Sequence, residues 1–365
     1  MTTAKLHRLL PLAFALFLML APAGGLWRIL AAPPPPPNSR PVIHYVLHNS
    51  RKYLRISDIA RFYHFTATTR ITSKEKTITL TNKHGQKLVF TDDKLQCTID
   101  GYQVNCCYKV FFHRGEFHLE QTDFTYLIDP ILRSSKIPRR AVKTIVLDPG
   151  HGGKDQGAAY GKTLEKSINL LLAKRIRSIL QRRGYTVFMT REKDIDLSLE
   201  ARAKFCAAKR PDLFISIHCN AAELDSIDGI EVWAANPPGV PSYGTSKLGE
   251  EVVGTKPEIL VPNALLSYLA LKSLVKATNA TDRGVRRKQF YVLRHSVAPA
   301  ILVEFGFLSN EAERKKMLDS SYQDKLCVAI CDAVDQFAKL VKPQPASKPA
   351  PPKPRHPGPP PRNRK

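Results

Sequence analysis

From Val142 to Leu340, apolar runs of strand length alternate with longer segments whose apolar residues recur at helical spacing. This alternation predicts an α/β fold, with a largely parallel twisted sheet covered by helices on both faces. The predicted strands are a run beginning at Ile145 and the segments 185–190, 213–217, 230–234, 290–293 and 301–303, and the predicted helices are 166–183, 199–209, 265–277 and 322–340.

Between residues 42 and 134 the pattern changes to short segments of alternating apolar and polar residues. Turn signals such as Asp100-Gly101 separate these segments, which is typical of β-hairpins. Short helices are expected at residues 54–62 and 121–132. We therefore expect a small β-rich α+β module before the α/β domain, which we assign to residues 142–340.

Both ends of the chain are predicted to lie outside these domains. Residues 1–32 carry basic residues, an apolar run and then small residues, which is the layout of an export signal; an uncleaved anchor is the alternative. A proline run makes residues 33–41 an extended linker, and the basic, proline-rich residues 341–365 are expected to be disordered. The protein is therefore expected to be exported to the periplasm or cell envelope, with membrane attachment only if the N-terminal segment is uncleaved.

The net charge of +24 over 365 residues indicates either a basic solvated surface or attraction to a polyanion. Export argues against nucleic acid, and the chain has no RNA-binding signature or recognition-helix motif. An acidic cell-wall polymer or an anionic lipid remains as the polyanionic partner.

The seven cysteines are odd in number and form neither a disulfide framework nor a paired Cys-x-x-Cys zinc motif. Most are expected to be small buried residues. A bridge from Cys97 to Cys106 or Cys107 is the alternative in an oxidising compartment.

Three predicted strands end on side chains that can bind a metal ion or move a proton. His151 follows the first strand, His218 follows the run 213–217, and Glu304 follows the apolar residues 300–303. Because chemistry gathers at the carboxyl ends of strands in open α/β sheets, we expect one site there. Two histidines and a glutamate, with one open position, form an established ligand set for catalytic zinc.

The two glutamates each have a second interpretation. Glu165 precedes the predicted helix 166–183, so by position alone it is more simply a favourable charge at a helix N-terminus than a third ligand. Glu304 should be partly buried, where it can take a proton from a metal-bound water and deliver it to a leaving amine. The alternative role for Glu304 is a helix cap or the anchor of an ion pair.

The region Lys143 to Leu340 contains a series of motifs in a fixed order. They are Val146-Leu147-Asp148-Pro149-Gly150-His151-Gly152-Gly153, Leu164-Glu165-Lys166 with Asn169-Leu170, Met189-Thr190-Arg191, Ser216-Ile217-His218-Cys219-Asn220-Ala221, Asp282-Arg283-Gly284-Val285 and Leu302-Val303-Glu304-Phe305-Gly306-Phe307-Leu308-Ser309-Asn310. Through these motifs the region resembles the zinc-dependent N-acetylmuramoyl-L-alanine amidase family, which cleaves bacterial peptidoglycan.

This resemblance implies that His151, Glu165 and His218 hold one zinc ion per chain and that Glu304 is the catalytic carboxylate. The implied reaction is hydrolysis of the amide between N-acetylmuramic acid and L-alanine, in cell-wall remodelling and daughter-cell separation. Peptidoglycan is the implied partner, together with an activator protein in the envelope. Cys219 stands where the family usually has alanine.

The module 42–134 contains, in order, Tyr53-Leu54, Ile59-Ala60, Ile78-Thr79-Leu80 and Ile99-Asp100-Gly101. Through these segments it resembles the domain at the N-terminus of copper amine oxidases, which is also appended to many bacterial wall proteins. We therefore expect the module to be associated with the cell wall.

Several points stay open at the level of sequence. The ligand set alone also permits a zinc peptidase that cuts the stem peptide, and the basic surface permits a non-catalytic peptidoglycan-binding protein. The long segment 236–262, which contains Glu250-Glu251, is a hypothetical inhibitory cover of the site. Some polar residues could bind substrate or play structural roles: Arg191, Arg202, Arg283, Arg286, Asn220 and His295.

Overall fold

The computed structural model describes residues 42–245, 247–249 and 253–343, which all belong to one compact unit. The predicted export signal or anchor and the linker lie outside the described residues. So do Glu250-Glu251 and the predicted tail from residue 344 onward.

The N-terminal module consists of short strands followed by a helical run. Its strands are β1 Tyr45–His48, β2 Arg51–Arg55, β3 Thr66–Ile71, β4 Lys76–Thr81, β5 Lys87–Thr91, β6 Gln96–Ile99, β7 Tyr102–Asn105, β8 Phe111–His113 and β9 Glu116–Glu120. Its helices are α1 Ile56–Phe62, α2 Gln121–Asp123 and α3 Asp129–Leu132, with a π-helical turn Phe124–Ile128 that joins the last two. The predicted β-rich α+β architecture is confirmed.

The α/β region follows a short 3₁₀ turn at Ser134–Lys136. Its strands are β10 Thr144–Pro149, β11 Ala159–Tyr160, β12 Thr163–Leu164, β13 Thr186–Met189, β14 Leu213–Asn220, β15 Ile230–Ala234, β16 Asp282–Arg287 and β17 Ala300–Phe307. Its helices are α4 Glu165–Arg182, α5 Leu199–Lys209, α6 Pro257–Thr278, α7 Tyr291–Arg294, α8 Glu311–Leu318 and α9 Ser320–Val341, with a 3₁₀ turn at Val253–Thr255 before α6.

The main sheet has the strand order β13-β10-β14-β17-β15-β16-β7-β6-β5-β4-β3. Strands β13, β10, β14 and β17 are parallel, β15 is antiparallel to β17, and β16 is parallel to β15. The predicted largely parallel sheet of the α/β region is therefore confirmed. A second sheet of the module has the order β1-β2-β9-β8.

The module and the α/β region are joined within the main sheet, because β7 pairs with β16 through Val104 and Val285. Side chains reinforce this junction. Asp282 accepts a hydrogen bond from the backbone N–H of Gln103 (2.7 Å), and the Asn105 amide donates to the carbonyl of Val285 (3.0 Å). The two regions predicted from sequence therefore share one hydrogen-bonded ladder.

Helices cover both faces of the α/β sheet. Alternate strand residues such as Ile145 and Ile215 pack with α4, α6 and α9, while Val146 and Phe214 pack with a second cluster that includes residues of α5 and α7. Among the described helices, only α6 is long and apolar enough to cross a membrane, and 72% of its most apolar window is buried in the protein. Helix α6 is therefore a core helix here.

Two element predictions were wrong. Residues 290–293 were expected to form a strand, but Tyr291–Arg294 forms a helical turn, since a short apolar run does not distinguish the two by its periodicity. Helix α6 was expected to begin at residue 265, but it begins at Pro257 and contains Pro262. A proline normally breaks a helix interior, and burial of residues such as Ile259 and Leu266 on either side of Pro262 offsets that cost.

All seven cysteines are buried and free. Cys97 lies opposite Val104 on paired strands, and its thiol donates to the Val104 carbonyl (3.3 Å). The cysteines are therefore buried, as expected, and Cys97 forms no disulfide bridge to Cys106 or Cys107 in this structure.

Candidate metal centre

Three neighbouring parallel strands bring the predicted side chains to one edge of the sheet. His151 follows β10, His218 lies near the end of β14, and Glu304 lies in β17. His218 and Glu304 are register partners on paired strands. The parallel order β10-β14-β17 therefore places all three at the same carboxyl-terminal edge, as expected from the sequence.

The turn that carries His151 depends on glycine. His151 has a φ of 61°, in the left-handed region that side chains seldom adopt. At Gly150 a Cβ would overlap the imidazole of His218, and at Gly157 it would overlap the carboxylate of Glu165. The two glycines thus let the backbone approach the neighbouring side chains closely enough to assemble the site.

Two buried arginines hold this turn by its carbonyl groups. Arg191 donates to the carbonyls of Pro149 (3.0 Å), Gly150 (2.8 Å) and Lys166 (2.8 Å). Arg202 donates to the carbonyls of Pro149 (2.7 Å) and His151 (2.8 Å). Arg191 therefore connects the His151 turn to the start of α4.

Arg202 also forms a buried ion pair with Asp148 (2.7 Å). The same carboxylate accepts hydrogen bonds from the hydroxyl groups of Thr190 (2.6 Å) and Ser216 (2.9 Å). These contacts give Arg191 and Arg202 structural roles in the site, and neither needs a substrate carboxylate to satisfy its charge.

Glu165 is the first residue of α4 and is 4% exposed. Its Oε1 lies 3.1 Å from Nε2 of His151 and 3.0 Å from Nδ1 of His218. It also accepts from the backbone N–H of Cys219 (3.1 Å), while Oε2 accepts from that of Ala158 (2.9 Å). A charge placed only to favour the helix dipole would face solvent, whereas this carboxylate faces two imidazoles.

His151, Glu165 and His218 therefore form a group that could hold a metal ion, with one ligand atom from each within 4.8 Å of the others. Burial alone would raise the pKa of Glu165, but hydrogen bonds from His151 and His218 hold it well below its usual value. Burial also lowers the pKa of His151, and contacts with Glu165 and Asp155 outweigh that effect and raise it. Asp155 contacts Nδ1 of His151 at 2.8 Å and leaves Nε2 facing the centre of the group.

Glu304 lies beside this group, and its Oε2 is buried without a hydrogen-bond partner among the described residues. Burial, with the nearby charges of Glu165 and Glu231, raises the pKa of Glu304 well above its usual value. An unpartnered buried carboxylate oxygen is costly, so this atom is a strong candidate for a functional contact. No helix cap or ion pair formed by the described residues accounts for it.

The group and Glu304 line one cavity of about 830 Å³. Residues 196–199, which lead into α5, form one part of its lining, and Phe290, Tyr291 and Val292 form another. The described residues of the segment 236–262 do not line this cavity. The inhibitory cover predicted from that segment stays a prediction, since Glu250-Glu251 lie outside the described residues.

Several residues do not join the group. Cys219 is 1% exposed and its burial raises the pKa of the thiol well above its ordinary value, which keeps it uncharged. His295 stacks on Tyr291 and hydrogen-bonds to its carbonyl (2.9 Å). Asn220 lines the cavity, whereas Asp194 pairs with Lys166 (2.7 Å) outside it.

The sequence reasoning missed Asp155 and Glu231. Asp155 stands four residues after His151 in a glycine-rich turn, and this spacing is the signal that was available. Glu231 is the acidic residue in the otherwise apolar strand β15 and is 1% exposed. A lone charge in a buried strand indicates a partner, which here is the pair Arg283 and Arg286 (2.7 Å each).

Comparison with known proteins agrees with the motifs. The family described as N-acetylmuramoyl-L-alanine amidase matches residues 145–336. The N-acetylmuramoyl-L-alanine amidase LytC of Bacillus subtilis is 33% identical over 195 residues, 53% of this chain and 35% of LytC. The germination-specific N-acetylmuramoyl-L-alanine amidase of the same organism is 33% identical over 209 residues, 53% of this chain and 79% of that protein.

Among solved structures, the catalytic domain of the CwlV amidase from Bacillus (Paenibacillus) polymyxa var. colistinus is 29% identical, with a TM-score of 0.46. The match covers 55% of this chain and 99% of that domain.

Proposed function

This chain belongs to the N-acetylmuramoyl-L-alanine amidase family, and we propose that it hydrolyses the amide between N-acetylmuramic acid and L-alanine in peptidoglycan. The observation that carries the proposal is the convergence of His151, Glu165 and His218 beside the unpartnered Oε2 of Glu304. As a peptidoglycan enzyme, the protein would act after export, in the cell envelope. The proposal also includes a partner, namely an activator protein in the cell envelope.

The residues present fit a zinc ion. Two imidazole nitrogens and one carboxylate oxygen form a known ligand set for catalytic zinc, and the open cavity leaves room for a fourth ligand. Asp155 orients the ring of His151, as carboxylates commonly do for histidines that bind metals. Bound zinc would supply Lewis acidity, which polarises a carbonyl oxygen and makes a water more acidic.

Glu304 would move the proton. Its Oε2 would accept a proton from the attacking water and then donate it to the nitrogen of L-alanine as the C–N bond breaks. The position of Oε2 suits this role, because the oxygen has no hydrogen-bond partner among the described residues and is free to accept the proton. His151, Glu165 and His218 would hold the metal ion, and Asn220 would border the substrate at the cavity wall.

Digestion of purified peptidoglycan, read by mass spectrometry with and without a chelator, tests the proposal. We expect free stem peptides with an N-terminal L-alanine, and no release in the chelator. Shortened stems still attached to glycan would instead indicate a zinc peptidase, and retention on peptidoglycan without hydrolysis would indicate a binding protein. Either result would contradict the proposed reaction.

Glu304→Gln isolates the proton step from metal binding. General acid–base catalysis typically contributes about 10²- to 10⁴-fold, so release should fall by that factor while the zinc content stays at one per chain. Glu311→Gln is the matched control, since Glu311 is exposed and pairs only with Lys315 (2.6 Å) among the described residues. Loss of zinc in Glu304→Gln would contradict the assigned role.

A further inference from the structure

A cluster of cations and aromatic rings borders Glu304 on the side away from the metal ligands. Arg286 lies over the rings of Tyr243 (4.7 Å) and Trp233 (5.5 Å), and Lys288 lies over Phe290 (5.0 Å). Phe290 is also part of the cavity wall. The cluster therefore adjoins the cavity that contains the candidate metal centre.

An irregularity in β16 places two arginines on the same side of the sheet. Between the pairs Ile230–Asp282 and Val232–Val285, strand β16 has one residue more than β15. Such a bulge changes the alternation of side chains, so that Arg283 and Arg286, three residues apart, both reach Oε1 of Glu231. A regular strand would direct them to opposite faces.

The charges in this cluster do not balance. Arg283 and Arg286 share one carboxylate, that of Glu231, which leaves one positive charge in excess, while the charge of Lys288 acts on Glu304. Each arginine also keeps its Nη2 group free of hydrogen bonds within the described part of the chain. Since Arg286 is only 13% exposed, water screens this excess of positive charge less than it would at an open surface.

A second donor points to the same kind of ligand. The side chain of Trp233 is 8% exposed, and its indole N–H has no acceptor among the described residues. Trp233 is the register partner of Arg286 on β16 and of Leu302 on β17. The cluster therefore offers N–H donors and positive charge, and an anionic oxygen acceptor would satisfy both.

The position of the cluster sets the distance from the reacting bond. Glu304 on β17 is the register partner of Glu231 on β15, and β16 is the next strand. Two strand spacings amount to about 10 Å. Two residues of extended peptide span about 7 Å, and an acidic group on the second residue can bridge the remaining distance to β16.

From this geometry we propose that Arg283, Arg286 and Trp233 form a subsite for a carboxylate on the second residue of the stem peptide. The inference rests on the proposed function and adds a substrate preference to it. A stem peptide would cross the strand ends from the metal centre toward β16. The subsite would then discriminate a free acid from its amide at that residue.

Two synthetic muropeptides that differ only at the second stem residue, D-glutamate in one and D-isoglutamine in the other, test the subsite. We expect wild-type kcat/KM to favour the acid by about 10- to 100-fold, the usual value of hydrogen bonds to a charged group. Arg286→Gln and Arg283→Gln should each reduce that ratio, mainly through the acid substrate. Arg182→Gln is the control, because Arg182 is exposed and contacts Ser178 on the same helix.

The single arginine variants leave Glu231 with one partner, so a charge-balanced variant is needed. The double variant Glu231→Gln/Arg286→Gln removes one charge of each sign and should still lose the preference for the acid. An equal kcat/KM for the two substrates in wild type would overturn the subsite while leaving the amidase function intact. So would an unchanged preference in Arg286→Gln and in the double variant.

Calorimetry separates failure of the subsite from failure of the proposed function. If wild type hydrolyses neither muropeptide, the proposed function fails, and binding of the dipeptides L-Ala-D-Glu and L-Ala-D-isoglutamine, each with its γ-carboxyl capped as a methylamide, still tests the subsite. We expect tighter binding of the acid dipeptide, and loss of that difference in Arg286→Gln. Equal binding of the two dipeptides by wild type would overturn the proposal.

Discussion

Replacement of Arg202 by methionine should destabilise the fold and weaken the metal centre together. Arg202 is 4% exposed and pairs with Asp148, which is 1% exposed. Removal of one partner from a buried ion pair typically costs about 3–5 kcal/mol, because the other charge stays in the interior. The hydroxyl groups of Thr190 and Ser216 continue to solvate Asp148, so we expect the lower end of that range, about 3 kcal/mol.

Urea unfolding at pH 7 in a chelator measures this effect without any contribution from the metal. Arg175→Met is the matched control, because its partner Asp324 is 65% exposed, so the ion pair should contribute less than about 1 kcal/mol. Similar losses in the two variants would refute the reasoning. Asp148→Asn in the Arg202→Met background should restore part of the lost stability, since it removes the unpaired charge.

Arg202→Lys tests the link to the site. Lysine keeps the charge but cannot reproduce the planar fork that reaches both Asp148 and the carbonyl of His151. Zinc affinity, measured by competition with a chromophoric chelator, should fall by about 10- to 100-fold, as for other residues that orient metal ligands. An unchanged affinity would show that the contact with the His151 carbonyl does not position the ligand.

Asp155→Ala should weaken zinc binding by about 10- to 100-fold in the same chelator competition, because it frees Nδ1 of His151, and an unaltered affinity would contradict that role. Cys219→Ala should leave zinc content and hydrolysis unchanged, since the contact of residue 219 with Glu165 uses the backbone N–H; a large loss on purified peptidoglycan would assign the thiol a function. Asp212→Asn should lower stability at pH 7. Burial raises the pKa of Asp212, but N–H groups of Thr144 and Lys143 and the Arg140 guanidinium lower it overall, so its stabilisation is present above the unfolded pKa near 4 and disappears as the pH falls below that value. Urea unfolding at pH 7 and pH 3 checks this, and an equal deficit at both values would be inconsistent with it.

The sequence predicted the part of the site that local pattern determines. Apolar runs that stop at His151, His218 and Glu304 place these residues at strand ends, and parallel strands then bring the ends together. Glu165 was less clear, because a carboxylate at a helix start has a simple local explanation. Its contact with His218, which lies 53 residues away in the chain, depends on the fold and not on local pattern.

Other features depend on pairings that have no local signal. The approach of Arg283 and Arg286 to Glu231 requires the bulge between β15 and β16, and the order of those strands is not encoded in either segment alone. The start of α6 at Pro257 and its passage through Pro262 depend on burial against the sheet. Proline is favoured at the first position of a helix, as at Pro257, but disfavoured in a helix interior, as at Pro262, where tertiary packing decides the outcome.

The ladder between β7 and β16 has a consequence for how this chain can be divided. Strand β16 lies between β15 and β7, so without residues 42–134 its N–H and C=O groups would form an open edge. Open edges invite pairing with other chains and aggregation. The module therefore covers the edge of the amidase sheet, and an amidase region without it would expose the edge of β16 to pairing with other chains.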